Sequence, residues 1–132
     1  MRLEHLGIAV HDLPAARALY TRLLGAGPYK EERVEEQGVT TVFYRAGASK
    51  VELLGATRAD SPVAKYLERR GEGLHHVAFE VEDIRAEMAR LRGEGFRLLQ
   101  EEPTVGADDK WVCFIHPKSA GGVLVELCQS RS

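Results

Sequence analysis

Apolar and polar residues alternate along several short stretches of the chain, and two of these stretches repeat each other. Residues 5–13 (HLGIAVHDL) align with residues 76–84 (HVAFEVEDI) at a constant offset of 71. In each copy an alternating segment is followed by an acidic residue and then by apolar residues at helical spacing. This pattern predicts a strand followed by an amphipathic helix. The chain is therefore predicted to contain an internal duplication.

Three helices are predicted from the residues that begin and end them. Each has an oxygen-bearing side chain where its first turn would begin and a glycine where its apolar periodicity ends. They run from Asp12 to Gly25, from Ser61 to Gly71, and from Asp83 to the glycines at 93 and 95. The middle one lies between the two repeats and is predicted to be a linker helix.

Glycine-containing turns separate further segments with strand character in each half. We expect strands near residues 29–35, 40–44 and 50–54 in the first half, and near 96–100, 111–115 and 123–128 in the second. With the strand and helix of the repeat, each half then reads βαβββ. The predicted fold class is α+β, with two tandem βαβββ modules that form a curved mixed sheet around a cleft.

One domain is predicted for residues 1–132, because a chain of this length suits a single ordinary core. Within this domain the first module covers about residues 1–57. The linker helix covers about residues 61–71, and the second module covers about residues 73–130.

The charge balance and the apolar runs narrow the possible partners. The formal net charge is -2, whereas nucleic-acid binding needs a basic surface that displaces counterions from phosphates. No apolar run approaches the roughly 20 residues of a membrane helix, and the N-terminal sequence does not resemble a secretory signal. We therefore expect a cytoplasmic protein that binds neither nucleic acid nor membrane. Its cysteines, Cys113 and Cys128, are expected to be buried thiols.

Strand alternation assigns each histidine of the repeat to one face of its strand. In the first strand Leu6, Ile8 and Val10 share a face, and this apolar face should pack against the helix. His5 then lies on the opposite face. The same argument places His76 on the corresponding face of the second copy. Each histidine is followed two residues later by a small residue.

A lone carboxylate recurs in the last strand of each half. Glu52 and Glu126 each lie in an otherwise apolar segment, where a carboxylate is costly to bury unless it is paired or bound to a metal. The separation from His5 to Glu52 is 47 residues, and that from His76 to Glu126 is 50 residues. One histidine and one glutamate therefore recur at nearly equal spacing.

Two imidazoles and two carboxylates form a mixed nitrogen and oxygen donor set. Such a set suits a borderline divalent ion such as cobalt, manganese, nickel, iron or zinc. The sequence predicts that one such cation is bound by His5, Glu52, His76 and Glu126. The other histidines lack a matching acid. We expect a structural role for His75 and a position at the surface or beside the site for His11 and His116.

Several short stretches, spread over the whole chain, resemble the motifs of a known protein family. They are residues 5–10 (HLGIAV), 36–39 (EQGV), 51–54 (VELL), 61–67 (SPVAKYL), 73–76 (GLHH), and 116–119 (HPKS) running into 121–127 (GGVLVEL). Together they resemble the vicinal-oxygen-chelate superfamily and, within it, the methylmalonyl-CoA epimerases. The metal ligands of that family fall on the four residues identified above.

The resemblance implies an isomerase that interconverts the 2R and 2S forms of methylmalonyl-CoA, a small-molecule CoA thioester, by removing and returning the α-proton. It implies one divalent cation, with cobalt as the first expectation, and a homodimer. Glu126 is expected to act as one acid or base. Some family members have a glutamate three residues after the glycine of EQGV, where this chain has Thr41. Glu52 or a water molecule is therefore expected to be the second group.

The HPKS stretch leaves two interpretations open. The resemblance suggests that Lys118 and Ser119 contact the carboxylate or the phosphates of the substrate. Lysine and serine after His-Pro are equally ordinary turn residues.

Three alternative functions belong to the same fold. Glyoxalase I has a similar ligand set and acts on a glutathione hemithioacetal. Ring-cleaving dioxygenases use two histidines and one carboxylate, so a fourth protein ligand speaks against them. A binding module without a metal would not need both histidines and both glutamates. The HPKS stretch and the linker helix favour the epimerase over glyoxalase I.

Overall fold

A computed structural model describes the whole chain, residues 1–132. Its strands are β1 (Arg2–Ala9), β2 (Lys30–Val34), β3 (Val39–Ala46), β4 (Ser49–Ala56), β5 (Gly73–Glu80), β6 (Thr104–Gly106), β7 (Lys110–Ile115) and β8 (Val125–Ser130). Its α-helices are α1 (Leu13–Leu24), α2 (Pro62–Arg70) and α3 (Ile84–Gly93), and short 3-10 helices cover Glu35–Gln37 and Pro117–Ala120. On either side of α2 the element order is βαβββ, as the sequence pattern predicts.

The ends of all three predicted helices are confirmed. Asp12, Ser61 and Asp83 each accept a hydrogen bond from the backbone N–H three residues later, at 3.0, 3.0 and 3.1 Å. These bonds satisfy donors that have no partner within the first turn. Gly25 ends α1 in the left-handed conformation, with φ of 76°. None of the helices combines the length and hydrophobicity needed to cross a membrane.

The structure consists of two compact units. The N-terminal unit is His5–His75, and the C-terminal unit is Met1–Glu4 together with His76–Ser132. The linker helix α2 belongs to the N-terminal unit because its Val63 and Leu67 pack against Leu54 of β4.

The N-terminal unit has the strand order β2-β3-β4-β1. β3 pairs antiparallel with β2 and with β4, whereas β1 pairs parallel with β4. Helix α1 packs on one face of this sheet, where Ala16 meets Val42, Tyr44 and Leu53 in a buried cluster. Helix α2 packs on one end of the opposite face. The remainder of that opposite face, which α2 does not cover, includes His5 and Glu52.

The C-terminal unit repeats this arrangement with the strand order β5-β8-β7-β6. β8 pairs parallel with β5 and antiparallel with β7. Helix α3 packs on one face, where Met88 and Leu91 join Cys113, Ile115 and Leu127 in a buried cluster. The histidine and glutamate predicted for the metal therefore lie on the face that α3 does not cover.

The prediction of a strand at residues 96–100 is wrong. This segment forms only an isolated bridge, between Leu98 and Ile115. The side chain of Gln100 accepts the N–H of Phe114 at 2.8 Å, so a side chain replaces the backbone carbonyl that a strand would offer. Pro103, which has no N–H to donate, follows shortly after. The edge strand of this half is instead the short β6.

Candidate metal centre

The first predicted pair is brought together in the N-terminal unit. His5 lies on β1 and Glu52 on the parallel strand β4, where the Cα partner of Glu52 is Gly7. The Nδ1 atom of His5 lies 3.1 Å from a carboxylate oxygen of Glu52. Both residues are 5% exposed. Strand alternation thus placed His5 correctly on the face opposite α1.

The second predicted pair is brought together in the C-terminal unit with the same register. His76 lies on β5 and Glu126 on the parallel strand β8, where the Cα partner of Glu126 is Ala78. The Nε2 atom of His76 lies 3.3 Å from a carboxylate oxygen of Glu126. Both residues are 7% exposed. In each unit the histidine precedes a small residue by two positions, and that small residue lies beside the glutamate.

An aromatic residue that was not predicted from the sequence accompanies each pair. Phe43 is the cross-strand partner of Glu52, and Phe114 is the cross-strand partner of Glu126. Phe43 is fully buried. The ring of Phe114 packs edge-on against His76, with centroids 6.0 Å apart. The two phenylalanines are separated by the same 71 residues as the histidines, so the repeat offset contained the signal.

The two pairs have the donor atoms and spacing that a divalent cation requires. Metal bonds to imidazole nitrogen or carboxylate oxygen are about 2.1 Å long, so two neighbouring ligands of one ion lie roughly 3.0–3.4 Å apart. The nitrogen to oxygen distances of 3.1 and 3.3 Å fall in this range. Buried carboxylates also need a compensating charge or donor. Each pair therefore fits a role in metal binding.

Comparison with known proteins identifies the family. The family model of the Glyoxalase/Bleomycin resistance protein/Dioxygenase superfamily matches residues 4–114. The chain belongs to this superfamily. Within it, the ethylmalonyl-CoA/methylmalonyl-CoA epimerase of Cereibacter sphaeroides is 45% identical over 130 residues, which cover 97% of each chain. The mitochondrial methylmalonyl-CoA epimerase of Homo sapiens is 44% identical over 98% of this chain and 74% of that protein.

A solved structure supports the same placement. A variant of Streptomyces coelicolor methylmalonyl-CoA epimerase in complex with 2-nitronate-propionyl-CoA is 40% identical to this chain, with a TM-score of 0.95. The match covers 100% of this chain and 99% of that one. The predicted α+β fold with two βαβββ modules, and the predicted membership of the methylmalonyl-CoA epimerase family, are confirmed.

His75 has the packing expected of a structural residue, although it is adjacent to His76. It lies edge-on to the ring of Tyr66, with ring centroids 5.0 Å apart and an interplanar angle of 73°. Burial lowers the pKa of His75 below its usual value, because the charged imidazolium is poorly solvated there. A neutral ring packed on Tyr66 supports the predicted structural role.

The glycine of the EQGV stretch is required by the local structure. Gly38 adopts φ of 64°, and a Cβ atom there would lie 2.8 Å from both Arg58 and Ser61. Arg58 donates hydrogen bonds to the carbonyl oxygens of Glu35 and Glu36 at 2.5 and 3.0 Å. Only glycine therefore allows the turn between β2 and β3 to pack against the start of α2.

The HPKS stretch forms the second 3-10 helix. The hydroxyl of Ser119 accepts the backbone N–H of Arg97 at 2.9 Å, and the N–H of Lys118 donates to the Nδ1 atom of His116 at 3.0 Å. The side chain of Lys118 is exposed. Ser119 and His116 thus have local roles in the turn, and a contact of Lys118 or Ser119 with substrate stays a prediction.

Proposed function

We propose that the chain is a metal-dependent epimerase that interconverts (2R)- and (2S)-methylmalonyl-CoA. The observation that carries this proposal is the pair of buried His–Glu contacts, which recurs in both units with one strand register. The relatives named as methylmalonyl-CoA epimerases, which match almost the whole chain, support the choice of substrate. The alternatives considered from the sequence gain no support from these relatives.

The proposed cofactor is one divalent cation, bound by His5, Glu52, His76 and Glu126. Three of these residues, His5, Glu52 and His76, are buried and each offers one ligand atom. Cobalt is the ion we propose first, with manganese, nickel, iron and zinc as the other members of the class that this donor set suits. When bound, the cation would supply positive charge that stabilises the negative charge developing on the substrate oxygens.

Glu126 is the group that we propose to move the α-proton. The reaction needs a base on one side of the substrate carbon and an acid on the other. Glu126 lies in register with Ala78, a small buried residue, on the face of the sheet that α3 does not cover. Contacts with His76 and Phe114 on the neighbouring strands limit the motion of this carboxylate.

Glu52 is the proposed second group, with a water molecule as the alternative. Thr41 lies on the same sheet face as Glu52, two positions from Phe43, and it is buried. A threonine hydroxyl is too weakly acidic and too weakly basic to exchange a carbon-bound proton at neutral pH. Glu52, which lies 3.1 Å from His5, already has the carboxylate that this role requires.

The remaining parts of the proposal rest on the sequence. We propose a homodimer, a single domain with module boundaries near residues 57 and 73, and contacts of Lys118 or Ser119 with the substrate. Two buried cysteines outside any disulfide are consistent with the reducing conditions of the cytoplasm, the compartment that we propose.

Hydrogen exchange into the substrate tests the proposed function. The protein, loaded with Co²⁺, is incubated with (2R)-methylmalonyl-CoA in D₂O, and deuterium at the α-carbon is followed by NMR. We expect incorporation of one deuterium together with formation of the 2S form, and loss of both after treatment with EDTA. The proposal is wrong if no deuterium is incorporated while glutathione hemithioacetal is consumed by the same preparation.

A further inference from the structure

One face of the N-terminal unit changes character along the strands. At one end, Ala9 and Leu54 belong to the buried apolar cluster under α2. His5 and Glu52 occupy the middle of the face. From the level of Glu52 towards the other end, the strands carry three cations, Lys30, Arg45 and Lys50, which we call the cationic cluster.

The strand register places these three cations on one face of the sheet. Lys50 is the Cα partner of His5 on β1 and of Arg45 on β3. Lys30 on β2 is the partner of Phe43, which is itself the partner of Glu52. Partners on adjacent strands share a face and lie about 5 Å apart. The cationic cluster is therefore continuous with the His5–Glu52 pair.

Aromatic rings hold two of the cations in place. The guanidinium carbon of Arg45 lies 4.2 Å from the ring centroid of Tyr29, and the ammonium of Lys30 lies 5.4 Å from that of Phe43. Such contacts restrict long side chains, so less conformational entropy is lost when an anion binds. Glu32 pairs with Lys30 at 3.2 Å, which leaves the group of four side chains with a net positive charge.

Exposure increases from the pair to the cluster. His5 and Glu52 are buried, Lys30 and Lys50 are half-buried, and Arg45 is exposed. A ligand with its reacting end at the buried pair would therefore reach solvent among the cations. A CoA thioester of methylmalonate carries oxyanions in its phosphates and in its acyl carboxylate. The whole chain has a net charge of -2, so a local group of cations would attract the oxyanions of such a ligand to this part of the surface.

We propose that the cationic cluster is an oxyanion-binding subsite for the substrate, and that Lys30, Arg45 and Lys50 determine substrate affinity without moving the proton. This inference rests on the proposed epimerase function. The oxyanion belongs either to the CoA phosphates or to the acyl carboxylate, and suitable probes separate these two sources.

The test compares three probes on the full, Co²⁺-loaded chain. They are methylmalonyl-CoA, methylmalonyl-pantetheine, which lacks the phosphates, and CoA, which lacks the carboxylate. We expect the triple variant K30Q/R45Q/K50Q to raise KM for methylmalonyl-CoA by about tenfold or more, as loss of charge-assisted hydrogen bonds predicts, with kcat nearly unchanged. Arg33→Gln is the matched control, because Arg33 lies on β2 with the opposite strand parity.

The pattern across the probes identifies the oxyanion. If it is a phosphate, the triple variant weakens CoA binding in calorimetry and leaves KM for methylmalonyl-pantetheine unchanged. If it is the carboxylate, KM rises for both methylmalonyl substrates and CoA binding is unchanged. Unchanged values for all probes, an equal effect of Arg33→Gln, or a fall in kcat alone would overturn the subsite. A chain that binds CoA through the cluster but epimerises nothing would instead refute the proposed function.

Discussion

The two His–Glu pairs share one strand register, yet their surroundings differ. In the N-terminal unit the position two residues before Glu52 is Lys50, whereas two residues before Glu126 the C-terminal unit has Leu124. Phe43 is followed two positions later by an exposed arginine, but Phe114 is followed by His116, which is used in a turn. Both repeats kept the histidine and the glutamate, while the positions next to them diverged.

This difference suggests a division of labour between the units. We propose that both pairs hold the same ion, and this shared role would keep the two pairs alike. Their surroundings are free to differ, because binding an anionic substrate and moving its proton need different neighbours. Cations next to His5 and Glu52 suit binding. Both pairs have small and aromatic neighbours, but Leu124 and His116 stand next to the second pair in place of the cations.

The largest expected effect separates the two glutamates. Glu126→Gln should lower the deuterium exchange rate by about 1,000-fold, because a positioned acid or base contributes roughly 10²–10⁴ to a rate. Glu52→Gln should lower it by only about 10- to 100-fold if a water molecule can substitute. Metal content measured in parallel shows whether either amide still binds the ion. Equal losses in the two variants would mean that the glutamates have equivalent roles.

The second prediction contrasts two adjacent histidines. His76→Ala should abolish metal binding and activity together, because it removes a proposed ligand. His75→Ala should retain the metal and lower the free energy of unfolding by about 1–2 kcal/mol, since its contact with Tyr66 is lost. Metal analysis and urea unfolding of both variants provide the check. Full metal content in the His76→Ala variant would show that His76 is not a metal ligand.

The third prediction contrasts the two phenylalanines. Phe43→Leu should lower the free energy of unfolding by about 1–2 kcal/mol, because this ring is fully buried. Phe114→Leu should cost less stability, since Phe114 is only half-buried, but it should lower kcat by releasing His76. Unfolding curves and steady-state kinetics would distinguish these outcomes. The reverse pattern would contradict the division between the units.

The smallest effect concerns the cysteines, which should play no part in either unit's chemistry. Burial raises the pKa of both Cys113 and Cys128, so little thiolate forms at pH 8. The native protein should therefore react with iodoacetamide far more slowly than the unfolded protein, with mass spectrometry as the readout. Rapid labelling of Cys128 at this pH would show that the sheet of the C-terminal unit opens.

Local rules in the sequence predicted most of the fold and the faces on which the two His–Glu contacts lie. Strand parity placed His5 and His76 on their faces, and capping residues gave the helix ends. The strand at residues 96–100 failed because Gln100 satisfies the N–H of Phe114 through its side chain, a contact that periodicity does not encode. The cationic cluster was missed because it depends on the register between three strands, which a single segment does not reveal.

The central claim is that the two pairs bind one cation together, and titration of the metal-free chain with Co²⁺ tests it most directly. We expect one ion per chain in the natural protein. Both His5→Ala and His76→Ala should then lose that ion, although each variant keeps the other pair intact. Two ions per natural chain, or one ion retained in either variant, would show that each pair acts alone and would contradict the account.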